Sequence, residues 1–236
     1  RPCLLSRSSA DPDQRLFGLF LPGIELMLHA SVHSHLEGER SMLVHALDQL
    51  DPASDLLVLD RGYPAAWLVA LLGARGINFV MRCDGASFAA VRKFMRSGQD
   101  EAIVTLNAPS SQDVADWGCP STAPQVRLIR QVSPQGQVRV LMTQLFDRAA
   151  FPCQAFGDLY HQRWRIEEAF KRLKHRLKIE ATSGLSQQAL LIDVAAKVLA
   201  DNLASLMCHA ASEHKNLPAQ SRKCNRAYAT NFLQAV

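Results

Sequence analysis

Two carboxylates set among cations and aromatics are the residues of this 236-residue chain with the clearest chemical potential. The first is Asp60, which follows the apolar run Leu56-Leu57-Val58-Leu59 and precedes Arg61-Gly62-Tyr63. An aspartate there can cap a turn after a strand. It can equally hold a metal, because ligands in open α/β sheets bind at the carboxyl ends of strands. Both readings stand on the sequence alone.

The second carboxylate is Glu167, inside Tyr160-His161-Gln162-Arg163-Trp164-Arg165-Ile166-Glu167-Glu168-Ala169-Phe170-Lys171-Arg172-Leu173-Lys174. Residues 156–179 are expected to form one helix. At about 100° per residue, Tyr160, Arg163, Glu167, Lys171, Lys174 and Lys178 fall within an arc of roughly 80°. Leu159, Ile166, Phe170, Leu173 and Leu177 occupy the adjoining arc, the expected buried face. A solvated helix with i,i+4 pairs such as Glu167 with Lys171 would account for part of this pattern. The cations outnumber the acids, however, as they do in a phosphate-binding footprint. A carboxylate within that row repels phosphate, and a metal bridging the two removes the contradiction.

These residues need a scaffold, and the patterning supplies an α/β one. Residues 24–32 read as a strand and 39–50 as a helix. Residues 55–59 form a short apolar run of the kind found in a buried parallel strand. A helix over 63–73 and a second apolar run at 77–81 complete a strand–helix–strand unit. Beyond Asp84 the pattern changes: a helix at 86–95, then strands at 102–106, 126–132 and 138–145. The last two flank Ser133-Pro134-Gln135-Gly136, a hairpin turn sequence. Residues 107–124 read as loop. A final helix is expected over 186–211, after Gly184, with a last helical piece at 228–236. The expected organisation is a first core part at 1–83, a β-rich insertion at 84–152 and a C-terminal helical part at 153–236.

Composition narrows the function classes. Hydrophobic residues make up 48% and charged residues 20%, which is ordinary for a globular chain. No apolar run approaches the ~18 residues of a membrane helix, so no membrane role is expected. The net charge of +4, from 26 basic and 22 acidic residues, says nothing decisive about nucleic acid. The six cysteines are scattered without C-x-x-C spacing, against a zinc ribbon or a disulfide framework; reduced thiols in a cytoplasm fit. His29, His33 and His35, near Glu25 and Glu37, have alternating spacing that puts them on one strand face, but they read as structural histidines rather than a metal set. Trp117 reads as a packing residue rather than a base-stacking one. Arg222, Lys223 and Arg226 form a basic cluster that either touches DNA or is solvated.

Tyr160-x2-Arg163-x3-Glu167-x6-Lys174 resembles the Y-R-E-K pattern of bacterial insertion-sequence transposases of the insertion-sequence-four type, and Asp60-Arg61-Gly62-Tyr63 is similar to that family's second-aspartate motif. The resemblance spans nearly the whole chain. It implies an RNase H-like mixed sheet with helices on both faces and a mostly β insertion before the last catalytic helix. It also implies a DDE transposase, a nuclease and polynucleotidyl transferase with three acidic residues that bind two Mg²⁺ ions, Mn²⁺ being able to substitute. Asp60 then corresponds to the second aspartate and Glu167 to the glutamate, while Tyr160, Arg163 and Lys174 contact DNA near the transposon end. Lys171 and Lys178 join them through the cationic arc.

The implied reaction is hydrolysis at the transposon end, which frees a 3′-hydroxyl, followed by attack of that hydroxyl on target DNA. The implied partners are transposon-end DNA, target DNA and a second copy of the chain in a synaptic complex, in the cytoplasm at the nucleoid. The family's first aspartate has no counterpart: residues 1–9 hold no acid, and Asp11 and Asp13 sit in a Pro-containing loop sequence. With Arg1 rather than Met at its start, the chain is expected to begin partway through a protein, with the first aspartate just upstream. The alternative is a truncated, non-catalytic DNA-binding relic or regulator.

Overall fold

A computed structural model of the chain describes residues 3–5, 14–133, 136–181 and 186–214. Asp11, Asp13, Gly184, Pro134, Gln135, the Arg222, Lys223 and Arg226 cluster and the 228–236 piece lie outside the described residues. The chain divides into two compact units, one of residues 1–49 and 164–236, the other of residues 50–163.

The first unit is built on an antiparallel sheet of β1 (Cys3–Leu5), β2 (Gln14–Leu21) and β3 (Leu26–Ser34), in that order. The register of β2 on β3 shifts between Leu19 and Phe20, a local irregularity that lets the hairpin bend. A Cβ at Gly18 would lie 2.5 Å from Met27 Sδ on β3, so a larger residue there would displace the end of that methionine side chain. After β3 the chain turns into α1 (Glu39–Ala46), which buries Met42, Leu43 and Ala46 and runs on into a 3-10 turn, Leu47–Gln49. The expected strand at 24–32 and helix at 39–50 are both present.

Two more helices complete this unit: α6 (Trp164–His175) and α7 (Gln187–His214). Leu16 and Met27 pack with Ala169, Leu173, Leu177, Ile179, Leu190, Val194 and Val198 in one apolar core. Polar ties fix α7 along β3. Asn202 Oδ1 accepts from the Met27 N–H at 2.8 Å, and its Nδ2 donates to the Met27 carbonyl at 2.9 Å.

The second unit is a mixed five-stranded sheet, β4 (Leu56–Leu59), β5 (Asn78–Cys83), β8 (Val138–Thr143), β7 (Gln125–Val132) and β6 (Glu101–Thr105), in that spatial order. Only β4 and β5 are parallel, and they are joined through α2 (Ala66–Ala74), a crossover helix that is apolar on all sides. The β7–β8 hairpin closes with Val132 opposite Val138, as the turn sequence implies. The strands of residues 84–152 thus hydrogen-bond into the same sheet as β4 and β5 through the β5–β8 pairing.

Two expectations need correction. Residues 107–124 contain a helix, α4 (Ser111–Trp117), held by a capping box in which the Ser110 hydroxyl accepts from the Asp113 N–H and the Asp113 carboxylate accepts from the Ser110 N–H. Its Trp117 lies flat on Trp67 of α2, with ring centroids 4.4 Å apart and planes 5° from parallel, so the packing role read for Trp117 is the one seen. Residues 156–179, expected as one helix, form two: α5 (Ala155–His161) and α6. At the break the Gln162 and Arg163 N–H groups reach the carbonyls of Leu159 and Tyr160, three residues back instead of four. At the far end Lys178 takes a left-handed conformation (φ 47°), and the Ile179 N–H bonds the Leu173 carbonyl, so Lys178 stands beyond the helix. The single arc drawn from Tyr160 to Lys178 therefore does not exist as a continuous helical face.

Candidate active site

Asp60 leaves the carboxyl end of β4, beside β5. Along β4, Leu57 and Leu59 are buried on one face. Leu56 and Val58 pack on the other, against Val80, Ile129, Leu141, Leu145, Phe156 and Tyr160. By the two-residue period of a strand, Asp60 continues the Leu56–Val58 side, the side on which α5 packs. Its Oδ1 accepts a hydrogen bond from the Gly62 N–H at 2.7 Å, and its carbonyl accepts from the Tyr63 N–H at 3.3 Å. The turn-forming role read from sequence is thus realised, and the same bond fixes the orientation of the half-buried carboxylate.

Tyr160, in the last turn of α5, packs its ring into that core and is 6% exposed. Burial pushes the phenol above its ordinary pKa, and the Asp60 charge adds to the rise; Arg163 and Arg82 pull the other way without cancelling it. The hydroxyl therefore keeps its proton at neutral pH. The Arg163 guanidinium lies over the Tyr160 ring, 5.8 Å from its centroid, and also hydrogen-bonds the Tyr160 side chain. Asp60, Arg82, Tyr160 and Arg163 thus make one mixed-charge corner of the second unit. Arg82 was not singled out from the sequence. Its signal was present: Val80 and Arg82 alternate with Phe79, Met81 and Cys83, placing a cation on the Tyr160 side near the end of a strand parallel to β4.

A buried ion-pair network positions α5. Arg127 of β7, 1% exposed, donates from Nε and Nη2 to Glu101 Oε2 and from Nη1 to the carbonyls of Leu145 and Phe151, at 3.1 and 2.8 Å. The Cys153 thiol donates to the same Glu101 oxygen at 2.7 Å, and Arg148 Nε takes the other at 2.7 Å. The segment between β8 and α5 is therefore pinned to β6 and β7 before the chain reaches Tyr160. Arg127 also sits over the Phe156 ring, at 5.5 Å.

In the first unit, Glu167 stands in the first turn of α6, where the helix dipole favours a carboxylate, and is half-buried. Its neighbour Glu168 is exposed and pairs with Lys171 at 2.7 Å. That bond, the Glu168 charge and then Glu167 together hold the lysine above its ordinary pKa. Lys171 therefore bonds Glu168, where the sequence suggested Glu167. Lys174 Nζ lies 2.8 Å from Glu180 Oε1. The Lys178 carbonyl accepts from Lys197 Nζ at 3.0 Å. Arg172 is a structural group: it pairs with Asp201 at 3.2 Å and Glu25 at 3.3 Å.

Of the residues singled out from sequence, Asp60, Tyr160 and Arg163 belong to the second unit, and Glu167, Lys171, Lys174 and Lys178 to the first. Asp60 and Glu167 offer only carboxylate oxygens, the donors that hard divalent cations such as Mg²⁺ and Mn²⁺ prefer. The donor chemistry thus fits the expected metal.

Comparison with known proteins places the chain among DDE transposases. A family model described as "Transposase DDE domain" matches residues 19–203, a stretch that holds Asp60, Tyr160, Arg163, Glu167, Lys171, Lys174 and Lys178. The transposase InsG for insertion sequence element IS4 of Escherichia coli (strain K12) is 25% identical over 170 residues, which cover 71% of this chain and 37% of that protein. The chain thus spans little more than a third of the length of that relative. Its mixed five-stranded sheet flanked by helices is consistent with the RNase H-like fold expected of such a domain. The match covers well over half of the chain, and the chain belongs to the DDE transposase family.

Proposed function

We propose that this chain is the core of an insertion-sequence transposase of the Y-R-E-K type, cutting phosphodiester bonds at transposon ends and joining the freed 3′-hydroxyl to target DNA. The observation that carries the reading is the Tyr160-x2-Arg163-x3-Glu167-x6-Lys174 spacing together with Asp60 at the end of a buried parallel strand, all inside the family match. Asp60 and Glu167 are the metal-holding carboxylates. Bound Mg²⁺, or Mn²⁺ in its place, supplies activation of the attacking oxygen and stabilisation of the leaving one.

The residues of the chain divide the remaining work. The Gly62 N–H orients the Asp60 carboxylate. Arg163, held over the Tyr160 ring, presents a guanidinium suited to a phosphate of the transposon end. The Tyr160 ring is packed into the core, so its contribution to DNA comes through its protonated hydroxyl. Lys174, Lys171 and Lys178 neutralise backbone phosphate, with Lys174 and Lys171 exchanging a surface carboxylate partner for it. Residues 84–152, which we read as the family's β-rich insertion, supply β6, β7 and β8. The complete protein would hold two transposon ends in a homodimeric synaptic complex, in the cytoplasm at the nucleoid.

The test uses the complete reading frame that encodes the chain, a duplex carrying the element's end, and Mg²⁺. Asp60→Asn and Glu167→Gln should each keep end binding and abolish cleavage. Normal cleavage by Glu167→Gln would sink the metal assignment. Binding without cleavage in the unaltered protein would leave the non-catalytic relic as the reading.

A further inference from the structure

Outside the transposase machinery, one cluster in the first unit has the makeup of a metal centre of a different kind. His33 lies one residue before the end of β3, Glu37 lies in the turn that follows, and His45 sits in the last turn of α1. Their ligand atoms all lie within 4.8 Å of one another, and among the described residues they are the one such group of three or more His, Cys, Asp or Glu side chains. His33 Nδ1 is 2.9 Å from Glu37 Oε2, and His45 Nδ1 is 3.2 Å from Glu37 Oε1. Both rings thus turn the same nitrogen toward one carboxylate, and the two imidazoles stack with centroids 6.0 Å apart and planes 18° from parallel.

We infer that His33, Glu37 and His45 form a binding site for a zinc-class divalent transition metal, separate from the magnesium site of the transposase reaction. Two imidazole nitrogens and one carboxylate oxygen are the donors of open zinc sites, which leave a fourth position to water. Mg²⁺ prefers oxygen donors alone. In a tetrahedral site with metal–nitrogen bonds of ~2.0–2.1 Å, donors stand about 3.3 Å apart. The two histidine–glutamate distances, 2.9 and 3.2 Å, already fall within this spacing, and the set, spread over no more than 4.8 Å, closes to it by a movement of the His45 side chain, which is 61% exposed.

The surroundings suit the assignment. A metal-bound histidine needs its other ring nitrogen protonated and held by an acceptor, and His33 Nε2 is 2.7 Å from the Ser31 hydroxyl. The His33 side chain is 10% exposed, clamped edge-on by Phe17, so its ring is already oriented. Arg15 Nη1 binds the Glu37 backbone carbonyl at 2.9 Å and leaves the carboxylate oxygens to the histidines and Ser41. When the ion binds, it takes the Nδ1 lone pairs: the proton that His33 Nδ1 shares with Glu37 passes to Nε2, which then donates to the Ser31 hydroxyl, or goes to solvent where Nε2 already carries one, and any proton on His45 Nδ1 leaves to solvent. The ion then ties the end of β3 to the last turn of α1.

The test is calorimetric titration of the chelator-treated full chain with Zn²⁺. The unaltered chain should bind one equivalent that excess Mg²⁺ does not displace, and binding should raise the thermal midpoint. His45→Ala, at an exposed position, should leave the fold intact and weaken this binding by roughly tenfold or more. His33→Gln should do the same, and Co²⁺ loaded in place of Zn²⁺ should show ligand-field bands that both variants lose. Zn²⁺ binding unchanged in both variants, or absent from the unaltered chain, would overturn the assignment.

Discussion

The Arg163 guanidinium covers one face of the Tyr160 ring, and the tyrosine hydroxyl lies in the electrostatic field of Asp60. The pair proposed to contact DNA and a carboxylate of the proposed metal site are thereby coupled within one corner of the second unit. The aromatic ring serves as a platform: it is locked in the core, so the cation above it is pre-positioned at little entropic cost.

Tyr160→Phe keeps the ring and the platform and removes only the hydroxyl. Its unfolding free energy should change by about 1 kcal/mol or less, while affinity for transposon-end DNA falls. Arg163→Ala should lose more affinity than Tyr160→Phe, and Arg163→Lys should recover only part of it, because a lysine cannot lie flat on the ring. Urea unfolding and end-binding titrations check both halves. Unchanged affinity in Tyr160→Phe and Arg163→Ala would remove this corner from the DNA interface.

Lys174 forms a surface ion pair with Glu180, both side chains being partly exposed. Such pairs contribute about 0–1 kcal/mol, so phosphate displaces the carboxylate cheaply. Lys174→Ala should lower affinity and reduce the slope of log affinity against log salt by about 0.9. Glu180→Gln should tighten binding, by about fivefold at most, since that factor corresponds to ~1 kcal/mol. Affinity measured across a salt series separates these outcomes. An unchanged slope in Lys174→Ala would count against its phosphate role.

Arg127 and Glu101 make a different prediction, about stability. Removing Arg127 leaves carbonyls and part of a carboxylate without their donor in a buried setting, so Arg127→Ala should cost on the order of 3–5 kcal/mol. The pH dependence follows from Glu101, whose carboxyl is held below its ordinary pKa by the hydrogen bond from Cys153 first and by those from Arg127 next. A depressed folded pKa means that this stabilisation is complete above the unfolded value of about 4.3. It is lost as pH falls through the folded one. Acid unfolding followed between neutrality and low pH should therefore be shallower in Glu101→Gln, from a lower starting stability.

Much of this was legible in the sequence for identifiable reasons. β4 and β5 are short apolar runs with turn residues at their edges, and burial on both faces leaves such runs few alternatives. The Asp60 turn and the Tyr160 to Lys174 spacing could be read because they depend on residue type and count alone. The break between α5 and α6 could not, because Gln162 and Arg163 are good helix formers and nothing local announces a turn. α4 was hidden because a seven-residue helix with no fully buried side chain has no apolar period to detect; its marks were the capping box and the closing Gly118. His45 is hidden in the sequence for a third reason. The alternation of one strand groups His29, His33 and His35, whereas the fold gathers one member from a strand, one from a turn and one from a helix.

The flat stack of Trp67 on Trp117 makes the second unit spectroscopically distinct. Two parallel indoles this close share their excited states and should give a near-ultraviolet circular dichroism couplet that exists only while α2 and α4 are docked. The chain's third tryptophan, Trp164, is 51% exposed at the start of α6 and should report through emission typical of a hydrated indole. Two optical signals native to the chain thus follow residues 50–163 and the remainder separately, without any label.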